Sequence, residues 1–95
     1  MNDDIAVIHD IQAKEFRIEV APESWAKVTY RQEGDVFYVD HSSVPEALRG
    51  QGKGAVMMEA ALLEIEKLNV KIVPECSYVK HYVNKHENWH HLLAE

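Results

Sequence analysis

The amino-acid sequence predicts an α+β domain, a mostly antiparallel sheet of about five strands that feeds a strand–loop–helix–strand unit. Two patterns and one interruption carry that expectation. Apolar and polar residues alternate through the first half of the chain, helical spacing governs most of the second, and a glycine-punctuated loop lies between them.

With 95 residues, 46% of them hydrophobic and 27% charged, the chain suits one folded domain over residues 1–95 and not a disordered segment. A formal charge of −6 argues against a nucleic-acid partner, which would call for a basic stripe. One cysteine excludes an internal disulfide framework. No apolar run of membrane length or secretory signal is visible, so the expectation is a cytoplasmic protein with no membrane partner.

Met1 to Asp4 read as a frayed start, and Ile5-Ala6-Val7-Ile8 as a short strand ended by His9-Asp10. Glu15 to Val20 alternates strictly, with Phe16, Ile18 and Val20 on one face, the pattern of a half-buried strand. Ala21-Pro22-Glu23-Ser24 is a turn, and Trp25 to Arg31 alternates again with Ala26, Val28 and Tyr30 inward. After a second turn at Gln32-Glu33-Gly34-Asp35, Val36-Phe37-Tyr38-Val39 opens a third marked strand. Connections this short imply an antiparallel meander. The third strand turns polar at Asp40-His41-Ser42-Ser43, which predicts a bulge and a strand end facing a cleft.

Beyond Pro45 the run Arg49-Gly50-Gln51-Gly52-Lys53-Gly54-Ala55 places glycines at alternate positions 50, 52 and 54. Such a run suits neither a helix interior nor an ordinary strand. At the start of a helix it exposes backbone N–H donors at the positive end of the dipole, a setting for an anion. Met58, Ala61, Leu62, Ile65 and Leu68 then recur at helical spacing, predicting a helix over 54–68 with Asn69 as its cap. Val70 to Val73 reads as a strand stopped by Pro74 and parallel to the third main strand. Ser77 to Lys85 predicts a helix with Val79, Tyr82, Val83 and His86 on one face, and Asn88 to Leu93 a last helical piece. The histidines at 81, 86, 90 and 91 lack the completing ligands of a zinc site, so a solvated terminal helix is preferred and no metal is expected.

Two phosphate-binding motifs fail on the loop. A Walker loop needs a hydroxyl after its lysine, and Lys53 is followed by Gly54. Gly50, Gly52 and Ala55 match the dinucleotide fingerprint, with Glu75 near the place of its ribose-binding acid. Only twenty residues follow Glu75, too few for the parallel sheet that fingerprint opens.

A third motif fits. Arg49-Gly50-Gln51-Gly52-Lys53-Gly54 resembles the [RQ]-x-x-G-x-[GA] signature of the GNAT superfamily of N-acetyltransferases. With His41-Ser42-Ser43-Val44-Pro45 before it and Pro74-Glu75-Cys76-Ser77-Tyr78-Val79 after it, the chain is similar to small members of the YjdJ type, from about Phe16 to Leu93. The resemblance implies a minimal GNAT-like fold that uses acetyl-CoA, with coenzyme A pyrophosphate held by Arg49, Gly50, Gln51, Gly52, Lys53, Gly54 and Ala55. Val44 would support the pantetheine arm, and an unidentified amine would accept the acetyl group. An acyl-CoA-binding or sensor module without catalysis is the alternative expectation.

Three residues carry the expected chemistry. His41 is suited to general base by position and because imidazole is the side chain that exchanges a proton near neutral pH. Tyr82 falls where the resemblance places the tyrosine that protonates the departing thiolate, although its helical spacing equally suits a core residue. Cys76, after a strand and before a helix, stands open as nucleophile, site-lining residue or inert core.

Overall fold

In a computed structural model, which describes residues 5–94, the chain folds as a five-stranded sheet with helices packed on its inner face. The strands are β1 (Val7–Asp10), β2 (Glu15–Ala21), β3 (Ser24–Glu33), β4 (Val36–Ser43) and β5 (Lys71–Pro74), and they lie side by side in chain order. The first three pairings are antiparallel and β4–β5 is parallel. Helix α1 (Lys53–Lys67) makes the crossover between β4 and β5, and α2 (Ser77–Lys85) follows β5. Short 3₁₀ segments at Glu46–Leu48 and Glu87–Leu92 complete the order.

The alternations translate directly into burial. Phe16, Ile18 and Val20 of β2, Ala26, Val28 and Tyr30 of β3, and Phe37 and Val39 of β4 are buried on one sheet face. They form a single core with Met57, Met58, Ala61, Leu62 and Ile65 of α1 and Val79, Tyr82 and Val83 of α2. The opposite face carries Arg17, Lys27, Thr29, Arg31 and Tyr38, as expected of an antiparallel sheet with one side in water.

Two boundaries differ from expectation. The first strand runs through His9 and Asp10 instead of ending there, because His9 pairs with Phe16 and its ring stacks on the Phe16 ring at 4.2 Å. The chain then turns where the Asp10 carboxylate accepts the Ala13 N–H at 3.0 Å. Leu68 does not join the apolar face of α1. The helix ends at Lys67, Asn69 turns left-handed at φ 59°, and Leu68 is left 44% exposed. The expected frayed start at Met1 to Asp4 lies outside the described residues.

The bulge in the third main strand is present, and it reorients everything after it. Thr29 of β3 pairs with His41 while Tyr30 pairs with Val39, so Asp40 is an extra residue. One inserted residue reverses which side chains point inward. Ser42 therefore lies opposite buried Val28 on the inner face, and His41 lies opposite Thr29 on the outer face, exposed. Asp40 itself accepts the Thr29 hydroxyl at 2.8 Å.

Beyond Val39 the two parallel strands part. Their pairing stops at Val39 with Pro74, and the Val39 carbonyl accepts both the Glu75 N–H at 2.8 Å and the Cys76 N–H at 3.0 Å. Asp40 to Ser43 thus have no β5 residue beside them. On the far side of β5, Ile72 bridges to Leu93 and its carbonyl accepts the Ala94 N–H at 2.9 Å, which covers that edge with the chain's own end.

Candidate functional site

Where β4 leaves β5, a cleft of about 450 Å³ opens between the β4 end, the glycine loop and the first turn of α1. Its lining includes Ser42, Ser43 and Val44 from the strand end, Leu48 to Gly50 and Gly52 from the loop, Lys53 to Ala55 and Met57 from α1, and Tyr78 from α2. Gly50 and Gly52 sit at φ 83° and 77°, the left-handed region that other residues enter at a cost of about 1–2 kcal/mol. A Cβ at either would meet nothing within 4 Å. Conformation, not crowding, calls for glycine at these two positions.

Gly52 is the N-cap of α1, no side chain caps the helix, and its first turn holds no acidic residue. The opening N–H groups of a helix have no intrahelical partners. Those of Lys53 to Ala55 are therefore open donors at the positive end of a 15-residue helix, with the Lys53 and Arg49 side chains beside them. Gln51 stands apart from the other loop residues. Its N–H is taken by the Leu48 carbonyl at 3.3 Å, its side-chain amide reaches the Ala47 carbonyl at 3.4 Å, and it is not part of the cleft lining.

Gly54 serves a different purpose. It lies inside α1, and a Cβ there would come within 2.5 Å of the Tyr78 hydroxyl oxygen and 3.0 Å of the ring carbon that bears it. The missing side chain lets the Tyr78 phenol settle on the first turn of α1.

The three expected catalytic residues are not gathered at one point. Cys76 is not among the lining residues, but its Sγ stands 3.4 Å from the hydroxyl of Ser42, which is. It is the N-cap residue of α2, in extended conformation and half-buried, and it makes no formed side-chain cap hydrogen bond. Burial pushes the Cys76 thiol up, but the Ser42 hydroxyl and the N–H groups of Val79, Tyr78 and Ser42 favour the thiolate and outweigh it, so the pKa is lowered.

His41 is carried to the outer face by the Asp40 bulge, away from the cleft lining. Tyr82 is turned the other way, into the seam between α1 and α2. Its hydroxyl donates to Glu59, which also accepts Trp89 Nε1–H at 2.9 Å. Burial, the Glu59 hydrogen bond and its charge raise the Tyr82 pKa strongly, and the His86 ring stacks on it at 4.0 Å. Tyr82 is thereby a packed structural residue and does not line the cleft.

Sequence reasoning missed Tyr78, Ser42 and Met57 as lining residues. For Tyr78 a signal existed. It stands four residues before Tyr82, so the two share one side of α2, and only the position of α1 decides which hydroxyl meets the cleft. For Ser42 no signal was available without the register of the bulge.

No curated protein matches this chain. Among solved structures it is similar to the solution structure of a GCN5-like protein from Staphylococcus aureus, with 23% sequence identity and a TM-score of 0.68. That similarity covers 97% of this chain and 90% of the other, and it shows a shared fold. A family model described as GCN5-related N-acetyl-transferase matches residues 15–92, from the start of β2 to the end of the last 3₁₀ segment. With most of its length matched, the chain belongs to the GCN5-related N-acetyltransferase family.

Proposed function

We infer that this protein is an acetyl-CoA-dependent N-acetyltransferase whose cofactor lies in the cleft at the start of α1. The observation that carries the reading is the continuity of that cleft. It runs from an uncapped helix N-terminus flanked by Arg49 and Lys53 to Ser42, which touches the only thiol of the chain.

The residues present fit such a cofactor at each stage. The Lys53–Ala55 N–H groups and the two cations suit a pyrophosphate. The strand end at Asp40 to Ser43, free of β5, offers backbone groups to an extended arm. Helix-terminus contacts of roughly 0.3–2 kcal/mol each fall short of the about 8 kcal/mol of micromolar binding. The β4 edge, with Val44, Leu48 and Met57, must supply the remainder.

When bound, the cofactor supplies an acetyl thioester. The protein's task is then to hold that group at the β4 end and to manage one proton. An amine of pKa near 10.4 needs about 4–5 kcal/mol to lose its proton at neutral pH. Cys76 on the inner face and His41 on the outer face are the candidate bases at this end of β4. Ser42 holds the thiol on one side and the opening turn of α2 favours its thiolate on the other.

The test is ligand-induced stabilisation followed by turnover. CoA and acetyl-CoA are expected to raise the melting temperature, as any ligand of the native state must. Acetyl-CoA with a panel of amines is expected to release thiol, with the rate reduced in Cys76→Ala or His41→Ala according to which residue serves. Stabilisation without thiol release from any amine would leave a binding module in place of an enzyme. Absence of stabilisation by either compound would remove both readings.

A further inference from the structure

We propose that Tyr78 is a binding residue of the cleft, its phenol O–H donating to the phosphate group held by the opening turn of α1. The proposal rests on the reading of the cleft as a coenzyme A site and adds to it a donor from a second helix.

Three observations carry it. The Tyr78 oxygen stands 2.5 Å from the point where a Cβ of residue 54 would be, against the first turn of α1. Tyr78 lines the same cleft as Lys53, Gly54 and Ala55, whose N–H groups open the helix without intrahelical partners.

The second observation is the state of the hydroxyl. Those of Tyr30 and Tyr82 are engaged by His9 and Glu59, whereas that of Tyr78 bonds to none of the described residues. Burial raises its pKa, so the proton stays in place through the neutral range and the group can donate. An O–H directed at an ionised phosphate makes a short and strong hydrogen bond.

The third is Gly54. Alanine would favour the helix by about 1 kcal/mol, and the position is nonetheless glycine. The physical return for that choice is room for the phenol at the cleft.

The experiment titrates the full chain with CoA, 3′-dephospho-CoA and pantetheine, following chemical shifts by NMR. Tyr78→Phe is expected to weaken CoA and 3′-dephospho-CoA by about tenfold and to leave pantetheine, which lacks the pyrophosphate, unchanged. Gly54→Ala is expected to reproduce that loss with no fall in melting temperature, because its Cβ displaces the hydroxyl while the helix gains. Equal losses for all three ligands would reduce Tyr78 to ring packing and overturn the proposal. So would unchanged CoA affinity in Tyr78→Phe, or slowed turnover at unchanged affinity, which would assign the proton to the sulfur. A wild-type chain that binds none of the three would remove the coenzyme A reading itself, an outcome distinct from a wild type that binds CoA and a variant that binds it equally well.

Discussion

Tyr78 and Tyr82 stand one turn apart on α2 and face the same neighbouring helix, yet they meet it in opposite ways. Tyr82 is buried to 6% exposure, with its hydroxyl given to Glu59. Trp89, 4% exposed, gives its indole N–H to the same carboxylate, so one side chain of α1 ties α2 and the chain's last 3₁₀ segment together. Tyr78 is 40% exposed and rests on a glycine with its hydroxyl open. The seam between the helices is closed at Glu59 and left open at Gly54. The buried hydrogen bonds are gathered at the first place and the proposed ligand contacts at the second, so the core stays closed while polar groups remain open at the cleft.

The largest expected effect comes from breaking the closed end. Glu59→Ala leaves the Tyr82 and Trp89 donors without their acceptor, at roughly 1–3 kcal/mol each, so the melting temperature is expected to fall by about 10 °C or more. Tyr82→Phe sharpens the same point, with a loss of roughly 1–2 kcal/mol and unchanged affinity for CoA. Normal stability with abolished CoA binding in that variant would reverse the contrast drawn between the two tyrosines.

At the open end, Gly52→Ala forces a Cβ into the left-handed N-cap of α1 at φ 77°. The expected cost is about 1–2 kcal/mol in denaturant unfolding, together with weaker CoA binding. A smaller change concerns the thiol beyond Ser42. The rate of Cys76 alkylation against pH is expected to show a midpoint below that of an exposed cysteine, and Ser42→Ala is expected to move it to higher pH. An unmoved midpoint would detach the thiol from the strand end.

The smallest effect is remote from both ends of the seam. His9 bonds the Tyr30 hydroxyl at 2.6 Å and stacks on Phe16. Burial lowers its pKa, with Glu64 and Asp10 opposing. The folded chain therefore holds this proton less tightly than the unfolded chain does. Its contribution to stability is present above the ordinary value of 6.5 and declines as the pH falls below it. Urea unfolding between about pH 8 and about pH 5 is expected to show that decline, flattened in His9→Gln.

Much of the architecture was legible from side-chain periodicity. Phe16, Ile18 and Val20 and then Ala26, Val28 and Tyr30 announced two half-buried strands, and both are buried as read. The glycines at 50 and 52 announced the turn into α1, because no other residue enters that conformation as cheaply. The site was less legible, for two reasons of register. A single inserted residue at Asp40 reverses the alternation of β4, and it exchanges the expected His41 for Ser42 on the inner face. The relative placement of α1 and α2 then decides between two tyrosines that helical spacing treats alike.

Local backbone preference and the repeat of apolar residues are properties of the chain read in order. They were enough to determine the α+β class, the parallel β4–β5 pair, the glycine turn and the helix behind it. Which hydroxyl faces the cleft, which side of β4 the histidine takes, and how Cys76 meets Ser42 depend on pairing across the sheet and on packing between helices. Those contacts join residues far apart in sequence, and no local periodicity encodes them, so only the tertiary structure could decide them.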